Sequence, residues 1–202
     1  MNKITLVGNY DAHNKTMTCK RLSNNYDVIP VTFVDIVKEP EKSGKQSFEG
    51  SIINQKGKVF VEVYKINEVT EETQDSTACE LRGVIKKLYP VRTTKKNHKL
   101  QDMLVEAESQ LVKIVAFEPC PDYIEVGLPV RIRGRLQSRA FTQLTTFGTL
   151  SKVVYELALK NLEVIKPEEE VFDPFDLADE NLFDDLDEDL DDPEVKDEHG
   201  QN

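Results

Sequence analysis

The chain has 202 residues, with 26 Lys and Arg against 37 Asp and Glu, a formal net charge of −11, 39% apolar residues and no tryptophan. That length holds one medium domain or two small ones with a tail, and no run approaches the roughly 18 apolar residues a membrane-spanning helix needs. Cys19, Cys79 and Cys120 are scattered. They give neither a disulfide framework nor a CxxC pair, and Met1-Asn2-Lys3-Ile4 opens no secretion leader, so a reducing cytoplasm is the expected setting.

Up to residue 166 the chain reads as strands. Short β-branched and aromatic runs between turn signals fall at Lys3–Gly8, Val28–Val34, Phe48–Ile53, Val59–Ile66, Cys79–Lys87, Leu100–Ala107, Leu111–Phe117, Val130–Gln137 and Lys152–Val164. Asn54-Gln55-Lys56-Gly57 has the composition of a hairpin turn. Helical periodicity is weak, and only Val34–Lys38 admits a short helix. Many short strands at even spacing predict an all-β sandwich or small barrel. The polar stretch Glu68–Ser76 reads as a linker. The chain thus divides into 1–67, a linker at 68–76, a second β unit at 77–166 and a tail at 167–202. Both halves open on a glycine-bearing strand (Gly8; Gly83) and close on another (Gly50; Gly134), a hint of duplication.

Charge also splits along the chain, with the linker counted in the first part up to residue 75. Residues 167–202 hold 17 acidic groups and one Lys, residues 1–75 hold 10 basic and 11 acidic, and residues 76–166 hold 15 basic and 9 acidic. A basic body followed by an acidic tail is a pattern of proteins that handle nucleic acid. Self-repulsion should keep the free tail disordered, as a solubilising segment. Phe172, Asp173, Pro174, Phe175 and Phe183 among the acids also suit a short docking motif for a protein partner.

The most informative stretch is Val130-Arg131-Ile132-Arg133-Gly134-Arg135-Leu136-Gln137-Ser138-Arg139. In a strand, successive side chains face opposite ways. Val130, Ile132, Gly134 and Leu136 then face a core, while Arg131, Arg133, Arg135 and Arg139 share the other face. Like charges so close repel unless an anion meets them, and guanidinium forks fit phosphate oxygens. The competing expectation is a solvated strand whose arginines pair with neighbouring carboxylates. A second basic cluster, Lys86, Lys87, Arg92, Lys95, Lys96 and Lys99, surrounds Tyr89 and His98. Single-strand binding also needs aromatic platforms for bases, for which Tyr89, Phe117, Phe141 and Phe147 are the candidates. The three histidines lack partners for catalysis, and no phosphate-binding glycine loop or nucleophile motif occurs, so neither an enzyme nor a cofactor is expected.

The second half resembles the oligonucleotide-binding (OB) domain of bacterial and phage single-stranded DNA-binding proteins, in the two-domain form of Gram-positive bacteria and their phages. The resemblance rests on Cys79-Glu80-Leu81-Arg82-Gly83, Tyr89-Pro90-Val91-Arg92-Thr93-Thr94, Gly134-Arg135-Leu136-Gln137-Ser138-Arg139 and Tyr155-Glu156-Leu157. It covers 77–165, and more faintly 1–67 through Met1-Asn2-Lys3-Ile4-Thr5-Leu6-Val7-Gly8-Asn9. It implies tandem five-stranded OB barrels in a bacterial or infected-host cytoplasm, binding single-stranded DNA without base preference in replication, recombination or repair. Arg131, Arg133, Arg135 and Arg139 would hold phosphates with Lys86, Lys87, Arg92, Lys95 and Lys96, while Phe117 and Tyr89 stack on bases. The near-neutral first half would be a packing or dimerisation module, or a weaker second site, and homo-oligomers are compatible with it. Where the family often has Trp, this chain has Phe117 and Arg133. The acidic-Pro-Phe motif that recruits replication and repair proteins in the family stands internally here, at Asp173-Pro174-Phe175. A pure protein-interaction module, with the arginine face taking an acidic partner, is the alternative.

Overall fold

The structure, a computed structural model, describes residues 1–21, 23, 25–94, 96–145 and 148–166. Among these, eleven strands follow in chain order: β1 (Asn2–Asp11), β2 (Thr16–Lys20), β3 (Tyr26–Phe33), β4 (Gly44–Gln55), β5 (Lys58–Asn67), β6 (Ser76–Leu88), β7 (Arg92–Thr93), β8 (Lys99–Ala107), β9 (Gln110–Ala116), β10 (Pro129–Thr145) and β11 (Gly148–Val164). The first five close on themselves. β1 pairs antiparallel with β2 and β4, β2 with β3, β4 with β5, and β3 runs parallel to β5. The same ring recurs in β6, β8, β9, β11 and β10, again with one parallel contact, β9 to β11. Each half is therefore a closed five-stranded barrel of one connectivity, the tandem OB-like architecture expected. Closure leaves each ring without an open edge.

Alternation fills the interiors. Ile4 and Leu6 from β1, Val61 and Val63 from β5, Met103 and Val105 from β8 and Ile132 from β10 are fully buried. The first barrel adds an edge-to-face cluster of Tyr10, Phe33 and Phe48, with ring centroids 5.3–5.9 Å apart. Each such pair contributes about 0.5–1.5 kcal/mol beyond its area. Lys56 and Gly57 both have positive φ, 52° and 82°, so the anticipated hairpin forms between β4 and β5. Their mirror-type turn matches the strand twist.

The repeated glycines sit where strands cross. A Cβ on Gly83 would stand 2.1 Å from the carbonyl oxygen of Glu106, and one on Gly134 would stand 2.3 Å from that of Ala158. Gly8 and Gly50 hold the matching crossings in the first barrel. The duplication is thus one of topology: only hydrogen fits where a strand bends over its neighbour.

Residues 1–166 form one compact unit, in which Asn54 of β4 donates to Gln110 Oε1 (2.9 Å) and to the Leu111 carbonyl (2.8 Å) at the start of β9, and two larger joints tie the barrels. At the first, β1 pairs antiparallel with β6, from Asn2 opposite Leu81 to Val7 opposite Ser76, so one sheet runs through both barrels. At the second, the Arg21 guanidinium and the backbone N–H of Ser138 (2.6 Å) both donate to the carboxylate of Asp27, whose side chain is 1% exposed. Arg21 also donates to the Ser138 carbonyl at 2.8 Å, and Val28 N–H donates to Ser138 Oγ at 3.0 Å. This clasp fastens β3 to the middle of β10.

Two expectations change. Val34–Lys38 is a turn, closed by Val37 N–H donating to the Val34 carbonyl at 2.9 Å. Strands β2 and β7 were not foreseen, being short. The tail motif residues Phe172, Asp173, Pro174, Phe175 and Phe183 lie outside the described residues, as do Lys95 and Phe147.

Candidate nucleic-acid interface

Strand β10 alternates as its sequence dictates. Val130, Ile132 and Leu136 are buried in the barrel, and Arg131, Arg133, Arg135, Gln137 and Arg139 turn the other way. The row is not an uncompensated one. Glu80 on β6 lies opposite Arg133 and takes Arg131 Nε at 2.6 Å and Arg133 Nε at 3.2 Å. Arg139 lies 3.7 Å from Glu156 on β11. Only Arg135 leans on a neutral group, donating to Gln137 Oε1 at 3.3 Å. No acidic run within residues 76–166 matches the arginines, yet single carboxylates from flanking strands reach them. Two guanidiniums share the one Glu80 carboxylate, so that triad keeps a positive charge. Arg82, exposed and paired in register with Arg131, adds to it.

The Arg131 hydrogen bond, helped by Arg133, holds the Glu80 carboxyl below its usual range. Lys3 does the same for Glu49, and Tyr10 with Lys15 for Glu39. A carboxyl lowered on folding adds stability above its unfolded pKa of roughly 4.3 and loses it as pH falls through the folded value. The melting temperature is therefore expected to fall as pH drops below about 4.3. In Glu80→Gln that acid-side loss is smaller, and at neutral pH Arg131 and Arg133 are released. If they meet a nucleotide strand, its affinity rises and the log–log salt slope steepens by up to about 1.4, at roughly 0.7 per phosphate. An unchanged slope would place the pair outside the interface.

On the outer face of the second barrel, charges alternate in a chain. Arg92 Nη2 lies 3.1 Å from Asp102, Lys113 Nζ lies 3.2 Å from Asp102 and 3.5 Å from Glu156, and Glu156 meets Arg139. Glu156 is buried, and its Oε1 accepts from Gln137 Nε2 at 3.1 Å while its Oε2 has no hydrogen-bond partner among the described residues. Arg139 and Arg92 are thus partly committed within the protein. Lys86 pairs with Glu106 at 2.7 Å, and Lys87 sits 4.6 Å above the Tyr89 ring. One face of that half-buried ring is already covered. Lys96 is exposed.

A groove of about 1090 Å³ brings other groups together. Its second-barrel side carries Phe117, 54% exposed just beyond β9, with Arg135 and the exposed Lys160 over a floor of Gly134 and Ala158. Its first-barrel side carries Tyr26, 57% exposed, and the exposed Lys20. Asp27 and Asp75 also line it, but Arg21 pairs with the first and Lys45 with the second. Among the described residues, Lys20, Arg135 and Lys160 make no ion pair. A second depression of about 580 Å³ adjoins it, sharing Ala78, Gly134 and Lys160 and adding Lys3, Thr5, Glu80 and Arg133.

Of the residues singled out from sequence, the groove collects Arg135 and Phe117, and Arg133 borders its extension. Arg131 lies one pair further along the sheet. Lys86, Lys87, Tyr89, Arg92 and Lys96 line neither depression. Sequence reasoning missed Lys160, Lys20, Tyr26 and Arg82. The alternation in Thr16-Met17-Thr18-Cys19-Lys20 was a legible signal for the strand that ends at Lys20.

No family model matches the chain, and no curated protein matches it. Solved structures do. The wild-type single-stranded DNA-binding protein from Thermus aquaticus is similar at 11% identity and a TM-score of 0.56, over 83% of this chain and 94% of that one. A deletion mutant of the same protein is similar at 13% identity and a TM-score of 0.52, over 84% and 98%. The chain shares their fold across both barrels.

Proposed function

We propose that the protein binds single-stranded DNA without base preference, as a binding rather than a catalytic protein. The observation that carries this reading is the outer face of the second barrel: among the described residues Arg135 and Lys160 have no carboxylate partner, and both line the groove that the exposed ring of Phe117 lines. Cations along a groove track phosphates, and an exposed ring takes any unpaired base, since every base has a π-face. A duplex hides those faces within its stack, so the pairing of charge with ring favours a single strand. The shared fold supports the same reading, because the neighbour it matches is named for binding single-stranded DNA.

Roles in replication or recombination belong to this proposal too. So does a tail at 167–202 that competes for the basic face or docks a protein partner through Phe172, Asp173, Pro174, Phe175 and Phe183. Filter binding of an oligothymidine and a duplex of equal length, at two salt concentrations, tests the core of it. The single strand should bind more tightly, with affinity falling as salt rises. Equal or preferential binding of the duplex would overturn the reading.

A further inference from the structure

The first barrel is close to neutral, 10 basic against 11 acidic groups over residues 1–75, which argues for a scaffold rather than a binding surface. Where its charges sit argues otherwise. We propose that the first barrel supplies the second wall of the strand-binding groove, with Tyr26 stacking on a base and Lys20 and Lys3 meeting phosphates. One nucleotide strand then crosses both barrels. This rests on the reading given under Proposed function and extends it to residues of the other half.

Three observations converge. First, the acidic groups near the groove are consumed within the protein. Arg21, Ser138 and the clasp occupy Asp27, while Lys45 and the Lys20 N–H (2.7 Å) occupy Asp75. Lys20 Nζ is left without an ion pair among the described residues, on the wall facing Arg135 and Lys160. Second, Tyr26 is more exposed than half, although a tyrosine at the start of a strand of a closed barrel could have packed inward. It lines the groove that Phe117 lines from the other barrel, so each wall offers one ring and at least one cation without an ion pair among the described residues. Third, the groove does not stop at the joint. Ala78, Gly134 and Lys160 belong to it and to the second depression, which leads over β6 to Lys3 and Thr5 on β1. The floor along that path is small or β-branched, Ala78, Gly134, Thr77 and Thr5, leaving room for a chain of sugars.

Lys3 is bonded to Glu49 at 2.9 Å, but Lys65 also lies 3.6 Å from that carboxylate. With Arg131 and Arg133 sharing Glu80, four cations there meet two carboxylates, which leaves this end of the path positive. A polyanion with flat, unpaired bases fits both the charge and the rings. An acidic peptide would use the charge and leave Tyr26 and Phe117 idle.

The test uses the full chain and fluorescein-labelled oligothymidine, read by anisotropy over a salt series. Tyr26→Ala should weaken binding by roughly tenfold, and Tyr26→Phe should restore it, since stacking needs the ring and not the hydroxyl. Lys20→Ala should lower the salt slope by about 0.7, the share of one phosphate. The melting temperatures of these surface variants check that the fold is kept. If the wild-type chain binds the oligonucleotide while both variants match it in affinity and slope, the first barrel is a scaffold and the inference is overturned, although the second-barrel site stands. Failure of the wild-type chain to bind overturns the functional reading and this inference together. Displacement of the oligonucleotide by polyglutamate at equal charge concentration would also overturn it, pointing to an acidic protein partner.

Discussion

Replacing Phe117 and Arg135 together by alanine is expected to reduce affinity for oligothymidine by about two orders of magnitude or more while leaving the fold intact. Phe117 is 54% exposed, so its ring is available to a ligand at little cost to the core. Stacking on a base is worth about 1–3 kcal/mol. Among the described residues Arg135 is hydrogen-bonded only to the neutral Gln137, so its charge is available to a phosphate, and a charge-assisted hydrogen bond is worth about 1.5–3 kcal/mol. With 1.4 kcal/mol per factor of ten, the lower ends of these ranges already give nearly two orders of magnitude. The arginine should also remove roughly 0.7 from the salt slope, which the phenylalanine should not. Anisotropy titrations of the single and double variants over a salt series separate the two contributions. A double variant that binds within a few-fold of wild type would mean the strand lies elsewhere.

The second large effect is on stability. Asp27→Ala is expected to cost about 3–5 kcal/mol, the usual penalty for removing one partner from a buried ion pair. Asp27 is 1% exposed and accepts from Arg21, from Ser138 N–H and from Ser138 Oγ. Its loss leaves a guanidinium enclosed without its counter-charge and an N–H without an acceptor. The clasp also fixes β3 against β10, so Tyr26 should lose its position opposite Phe117. Asp27→Asn should recover part of the loss, because an amide oxygen still accepts from Ser138. Urea unfolding at pH 7 measures both variants, and an unchanged midpoint for Asp27→Ala would show that the clasp does not hold the barrels together.

The strands were legible because their sequences alternate strongly enough to place one face inside. Val130-Arg131-Ile132-Arg133 declares both faces of β10, and the structure honours that alternation. The glycines at Gly8, Gly50, Gly83 and Gly134 signalled the duplication because each marks a strand crossing that excludes a side chain. The site was legible only on its own strand. Alternation shows which residues share a face but not which carboxylate of another strand reaches it, so the pairing of Arg131 and Arg133 with Glu80 was invisible. The contributions of Lys20 and Tyr26 were invisible for the same reason. They depend on a clasp between residues more than a hundred positions apart, Asp27 and Ser138. The short helix at Val34–Lys38 failed because a few residues with weak periodicity cannot outweigh the cost of nucleating a helix.

The most direct test of the account is photo-cross-linking of the full chain to oligothymidine carrying 5-iodouracil, with the adducts mapped by mass spectrometry. The proposed path predicts adducts at Phe117 on the second barrel and Tyr26 on the first. Adducts confined to exposed tyrosines away from the groove, such as Tyr64 or Tyr123, would contradict it.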